Sequence, residues 1–110
     1  MKKILLLMII TIFVNAEYCS SGSCISKIEK IYTQINGNVL VSTNQDEKLT
    51  NCTPVSGVYF TLNTSLKNAD MVYSTLLSAS MLNKTVNIRI VENTANCLIS
   101  YVILDSKLDL

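Results

Sequence analysis

Four cysteines, Cys19, Cys24, Cys52 and Cys97, are the most distinctive chemical groups of the chain. An even number in a chain of 110 residues is typical of a small exported domain held by two disulfides. Zinc binding is the alternative, but a Cys-x4-Cys pair without histidine or a second close pair has poor zinc spacing. Three pairings are possible. We favour Cys19–Cys24, because the linker 20–23 is small and flexible, and Cys52–Cys97, because each lies beside a strand-like segment.

Other catalytic groups are sparse. The chain has no histidine, the commonest general base near neutral pH. It has no glycine-rich phosphate loop and no G-x-S-x-G motif, and disulfide formation would remove the thiol nucleophile. A carboxylate pair is the remaining route to catalysis, although scattered acids more often only solvate the surface; the acids in question are Glu29, Asp46, Glu47, Asp70, Glu92 and Asp105. We therefore expect no enzyme activity, no metal and no cofactor.

Tyrosines are the side chains best suited to contact a ligand. Sugar sites usually combine an aromatic surface with convergent polar groups. We expect Tyr73 to pack on the apolar stripe of a helix and Tyr101 to pack in a strand. Tyr32 and Tyr59 remain as candidate ligand-binding residues. No basic cluster accompanies these rings, which argues against nucleic-acid binding.

The first 16 residues predict a secretory signal peptide. A positive start, Met1–Lys3, precedes an apolar run, Ile4–Val14, and a small-residue end at Ala16. The run is too short to span a membrane, which takes about 20 residues. We expect cleavage after Ala16, a single secreted or periplasmic domain at 17–110, and no membrane span in the mature chain. Without the two leader lysines, seven basic side chains face eight acidic ones, so no charge draws the domain to nucleic acid.

Alternating apolar residues predict five strands. The segments 27–35 and 38–43 flank Asn36-Gly37, the strongest short signal for a hairpin, and predict a type I′ turn. Further alternation predicts strands at about 58–62, 86–90 and 98–104.

The period changes to that of a helix over about 66–82, with Thr64-Ser65 as caps and Asn83 as the stop. The predicted buried stripe contains Ala69, Val72, Tyr73, Leu76, Leu77 and Ala79. The opposite face carries Met71, Ser74, Thr75, Ser78, Met81 and Leu82. No charge occurs from Met71 to Asn83, whereas a solvated face normally carries several. We therefore expect this face to form the interface of a homo-oligomer.

These elements predict a mostly β, α+β fold with the order β-β-β-α-β-β. Short strands interrupted by a helix between the third and fourth match a small, disulfide-stapled Greek-key barrel of the OB type. The competing architecture is an open α+β sheet with the helix on one face.

Residues 52–104 combine several recognisable segments: a cysteine, then GVYFTLNTS at 57–65, YSTLLSA at 73–79, KTVNI at 84–88 and CLISYV at 97–102. This pattern resembles small secreted proteins similar to the B subunit of subtilase cytotoxin and its pertussis-like relatives. The resemblance implies an OB-fold subunit with a Cys52–Cys97 disulfide that forms a ring of five, binds host glycans, often sialylated, and accompanies a toxic A chain.

The glycan pocket of those toxin subunits lies mainly in the N-terminal half, where residues of this chain do not match. Fold and export therefore carry over better than sugar specificity. The alternative function is an exported, non-enzymatic interaction or envelope protein without a sugar site.

Overall fold

The computed structural model describes residues 17–108, so the predicted signal peptide at 1–16 lies outside the described residues. The strands are β1 Tyr18–Cys19, β2 Ser23–Ser26, β3 Ile28–Thr33, β4 Val39–Thr43, β5 Phe60–Leu62, β6 Val86–Ile90 and β7 Ile99–Ile103. The helix α1 spans Ala69–Met81, and single 3-10 turns lie at Glu47–Leu49 and Ser106–Leu108. The domain is therefore mostly β with one helix, as predicted.

The strands form two antiparallel sheets, one with the order β1-β2-β6-β7 and the other with the order β3-β4-β5. Only Lys27 separates β2 from β3, so one extended segment pairs with β6 through its first half and with β4 through its second. On the other side, Thr61 of β5 and Leu98 form a parallel bridge beside β7, and the Thr61 N–H donates to the Cys97 carbonyl at 3.0 Å. Pairing therefore runs in a ring from β3 through β4, β5, β7 and β6 back to β2.

The predicted element order lacks β1 and β2. Cys19 and Cys24 are direct cross-strand partners in this hairpin, and both are buried in the core. Ser26 is also fully buried, whereas Ile25 is partly exposed. The alternation of apolar and polar residues missed these strands because cysteine and serine occupy the inward positions.

The turn between β3 and β4 differs from the predicted type I′. Gly37 has the expected positive φ, +88°, but Asn36 does not share it, and a type I′ turn needs both. The Gly37 N–H donates to the Gln34 carbonyl at 2.9 Å, and the Gln34 N–H donates to the Asn38 carbonyl at 2.7 Å. The loop is thus a type I turn followed by a left-handed glycine, the usual three-residue hairpin connection.

Asn83 terminates the helix α1, as predicted. This residue has φ +54°, and its N–H donates to the Ser80 carbonyl at 3.3 Å. The next N–H, of Lys84, donates to the Ala79 carbonyl at 2.8 Å. These two bonds make a Schellman motif, which satisfies carbonyls that the helix end leaves without partners.

Most of the predicted helix stripe is buried, namely Ala69, Val72, Leu76 and Ala79, with Tyr73 partly buried against the core. The prediction was wrong for Leu77, which is 40% exposed. The buried stripe centres on Val72 and Leu76, and Leu77 lies about 100° further round the helix than Leu76.

Both favoured disulfides, Cys19–Cys24 and Cys52–Cys97, are present. Cys97 is fully buried and has φ +45°, an uncommon conformation for a residue other than glycine. Each disulfide joins the apolar core, whose largest fully buried side chains are Phe60, Leu62, Leu76, Ile88 and Ile99.

Candidate functional site

The two predicted ligand-binding tyrosines, Tyr32 and Tyr59, are in contact. Their ring centroids are 5.2 Å apart and the ring planes meet at 88°, an edge-to-face arrangement. Tyr32 is 42% exposed and Tyr59 is partly exposed. Residues that are far apart in the chain thus form one aromatic surface, which we call the tyrosine pair.

The tyrosine pair lies on the side of the β3-β4-β5 sheet that faces away from the main core. Tyr32 is opposite Leu40, which is opposite Thr61, and directly opposite residues project from the same face of a sheet. Leu40 is only 1% exposed, although it does not belong to the main core cluster. Other parts of the chain therefore cover this side of the sheet around Leu40.

A tight loop holds Tyr59 in place. The Tyr59 N–H donates to the Val55 carbonyl at 3.0 Å, and the Val55 N–H donates to the Tyr59 carbonyl at 2.9 Å. Between them, Ser56 and Gly57 have positive φ values of 53° and 77°. Paired backbone groups on both sides of the turn fix the position from which the Tyr59 ring reaches Tyr32.

Polar groups accompany the tyrosine pair. Lys30 is exposed and projects from the same face as Tyr32, and its cross-strand partner Ser42 is buried. The hydroxyl of Thr61 is buried and has no hydrogen-bond partner within residues 17–108. The exposed surface therefore combines two tyrosine rings, their phenol groups and an ammonium group. This combination suits binding by stacking and hydrogen bonding.

Three grooves lie elsewhere, and neither Tyr32 nor Tyr59 lines any of them. The first has a volume of about 420 Å³ and is lined by Thr33, Gly37, Val39, Thr64, Ala69, Asp70, Tyr73 and Ser74. The second, of about 380 Å³, is polar and lies between the loops 50–53 and 93–95. The third, of about 230 Å³, separates α1 from β7. The sequence prediction that Tyr73 only packs in the core missed its place in the first groove.

Acidic and thiol groups do not form a metal-binding cluster in the described part of the chain. No group of three or more histidine, cysteine, aspartate or glutamate side chains in residues 17–108 could hold a metal. Glu47 is 4% exposed, and its Oε2 accepts hydrogen bonds from the Thr43 N–H at 2.9 Å and the Thr43 hydroxyl at 3.0 Å. This carboxylate holds the loop after β4.

The chain matches no protein-family model, no curated protein and no solved structure. Its surfaces are therefore the basis for assigning a function.

The uncharged face of α1 is largely exposed. Met71 is 76%, Met81 77% and Leu82 66% exposed, and Ser74 and Ser78 are also exposed. Thr75 is partly buried, because it lines the groove beside β7, and its hydroxyl donates to the Met71 carbonyl at 3.0 Å. Leu77 joins the exposed residues, so the apolar surface is larger than predicted.

None of the helices within residues 17–108 has the length and apolar character needed to cross a membrane.

Proposed function

We propose that this protein is a secreted or periplasmic carbohydrate-binding subunit that assembles into a homo-oligomeric ring. The tyrosine pair carries the proposal, because it is a half-exposed aromatic surface on a sheet, with a lysine and hydroxyls beside it. The resemblance to toxin B subunits belongs to the same proposal and adds a toxic A chain as a partner.

An OB-type barrel is the proposed scaffold. The ring of strand pairing supports it, since four strands, β4 to β7, and the one extended segment that contains β2 and β3 close on themselves through the parallel contact of β5 with the residue before β7. The two disulfides support export, because such bonds persist in oxidising compartments.

A pyranose ring would bind by placing its apolar C–H face on the exposed tyrosine rings. Its hydroxyls would then reach the phenol groups and the Lys30 ammonium. Edge-to-face contact keeps one ring upright against the other, so little side-chain freedom is lost on binding.

A glycan array probed with the purified protein tests the sugar site. We expect saturable binding that falls at least about tenfold, or about 1.4 kcal/mol, in Tyr32→Ala and Tyr59→Ala. Tyr18→Ala is the matched control, because Tyr18 is similarly exposed but lies on the other sheet. A folded protein that binds no glycan, or that binds equally well without either ring, would contradict the proposal.

Assembly is proposed through the uncharged face of α1. Glutamate at both Ser74 and Ser78 should convert the oligomer to monomers in sedimentation without lowering the melting temperature, because both side chains are exposed. Glutamate at exposed Ser21 and Thr53 is the control and should leave the oligomer intact. A wild-type protein that stays monomeric at concentrations of roughly tens of micromolar would contradict the proposed ring.

The alternative function is an exported interaction protein without a sugar site. The exposure of the tyrosine pair also suits this alternative, since exposed aromatic side chains are typical of protein–protein contacts. The array distinguishes the two functions, because only the first predicts tyrosine-dependent sugar binding.

A further inference from the structure

The four-stranded sheet carries a second surface on the side away from the core, which we call the outer sheet face. Cys24, Ile88 and Val102 point inward, so their neighbours along each strand point outward. Two rows of cross-strand partners form the face, first Tyr18, Ile25, Asn87 and Ile103, then Ser23, Arg89 and Tyr101.

The composition of the outer sheet face is that of a protein-binding surface. Tyr18 is 48% exposed, and Tyr101 and Ile103 are each 44% exposed. Tyrosine and arginine are enriched at the energetic centres of protein interfaces, whereas small ligands prefer concave sites. Only Tyr101 touches one of the three grooves, so the rest of the face lies outside them.

Arg89 gives the outer sheet face its only charge. Its guanidinium lies over Gly22, where an added Cβ would be 3.7 Å from Cζ and 3.8 Å from both Nη atoms. Arg89 is exposed and forms no salt bridge with any carboxylate of the described chain, 17–108. A partner that covered Arg89 without bringing an anion would leave a buried charge unpaired, which is strongly unfavourable.

Asn87 provides an independent observation. Its Oδ1 atom is buried and has no hydrogen-bond partner in the part of the chain that the structure describes. A buried acceptor without a donor costs about 1–3 kcal/mol. The residue belongs to the row that includes Ile25 and Ile103, and an outward turn of its covered side-chain amide would bring this acceptor to a partner's donor at the centre of the face.

The geometry points to the outer sheet face as the docking site for a partner protein that presents a carboxylate to Arg89 and a hydrogen-bond donor to Asn87. Apolar side chains of the partner cover the flanking tyrosines and isoleucines. The site is independent of the proposed sugar site and of the assembly face, since it shares no residue with either of them.

Two defined peptides test this site. One alternates glutamate with isoleucine and tyrosine, and its matched control carries lysine at every glutamate. Each peptide is titrated into isotope-labelled protein. The protein is expressed from the full sequence, with residues 1–16 included, and is purified in the form that the producing cell delivers. We expect the acidic peptide alone to give saturable NMR shifts, centred on Arg89, Asn87 and Tyr101.

Two variants separate the contributions of charge and hydrogen bonding. Arg89→Glu should weaken the acidic peptide at least about tenfold and favour the lysine peptide. The control Lys84→Glu, an exposed charge off this face, should change nothing. Asn87→Leu should raise the melting temperature, because the orphaned acceptor is gone, and should still weaken the acidic peptide.

Several results would overturn the site. They are the absence of binding by either peptide, shifts confined to α1 or the tyrosine pair, and equal affinity in wild type and Arg89→Glu. Conversion of a wild-type oligomer to monomers by Arg89→Glu would also overturn it, since a second copy would then be the occupant.

Discussion

The two disulfides join very different parts of the molecule. Cys19 and Cys24 are five positions apart and face each other across a hairpin whose strands already pair. Cys52 and Cys97 are 45 positions apart, in the loops that precede β5 and β7. The first bond closes a local turn, while the second holds together the place where the two sheets meet.

This difference bears on stability, because the stabilisation that a crosslink provides depends on how much of the unfolded chain it restrains. By the chain-entropy argument, the long bond contributes about 4 kcal/mol and the short bond about 2 kcal/mol. The neighbours of the long bond also join its two loops, since the Thr53 N–H donates to the Thr94 carbonyl at 3.1 Å and the Asn93 N–H donates to the Asn51 carbonyl at 2.7 Å.

Removing the long disulfide should have the largest effect. Replacing both Cys52 and Cys97 with alanine should lower the free energy of unfolding by about 4 kcal/mol, a large part of a typical total of about 5–15 kcal/mol. We expect little folded protein to accumulate, and urea unfolding of any recovered protein measures the loss. Peptide mapping under non-reducing conditions is the control, and a fragment linking Cys19 to Cys97 would contradict the pairing.

Replacing both Cys19 and Cys24 with alanine should be milder. The closed loop is short, so we expect a loss of about 2 kcal/mol and a protein that still accumulates and melts cooperatively. The same urea titration measures it. A loss as large as that of the long bond would break the comparison and show that burial of these two cysteines matters more than loop length.

The β3–β4 turn is a local feature without a crosslink. Gly37→Val should lower stability by more than about 1 kcal/mol, because a β-branched residue resists positive φ. Space is not the cause, since a Cβ there would be 3.7 Å from the Thr64 hydroxyl oxygen, an ordinary contact. Thermal melting checks this, with Gly37→Asn as the milder control. Equal losses in both variants would contradict a backbone effect.

The smallest effect is expected at Glu17, which leads into the N-terminal hairpin. Its Oε2 accepts from the Asn44 side-chain N–H at 2.9 Å, and its Oε1 accepts from the Thr85 hydroxyl at 3.1 Å, so it links both sheets. Glu17→Gln replaces an acceptor oxygen with a donor and should cost about 1 kcal/mol. The control is Glu29→Gln, at an exposed position, and thermal melting compares the two variants. Equal melting temperatures in the two variants would show that the hydrogen bonds of Glu17 add no stability.

The sequence predicted the parts of the fold in which hydrophobic periodicity coincides with burial. Val86, Ile88 and Ile90 alternate and are all buried, and β6 was predicted correctly. In β2 the relation is inverted, because Ser26 points inward and Ile25 outward, so no pattern of apolar residues reveals the strand. The ring of pairing through Lys27 was not predicted for the same reason.

The candidate sites show a similar division. Tyr32 and Tyr59 could be selected from residue type, but their contact depends on the loop 55–59, which has no periodicity to interpret. The outer sheet face was not predictable at all, since Tyr18 and Ile25 belong to strands that the pattern missed. The position of the uncharged helix face was predicted because helical spacing assigns faces directly, apart from Leu77 at its border.

The spacing of the four cysteines also bears on the proposed export, which with the N-terminus leading would deliver Cys19, Cys24 and Cys52 to the oxidising compartment before Cys97. Cys52 would then be open to oxidation 45 positions ahead of its partner. In that interval it could react with either upstream thiol. Early closure of the Cys19–Cys24 hairpin removes both competitors and leaves Cys97 as the only thiol available to Cys52. In this order of events, the short disulfide would favour correct formation of the long one.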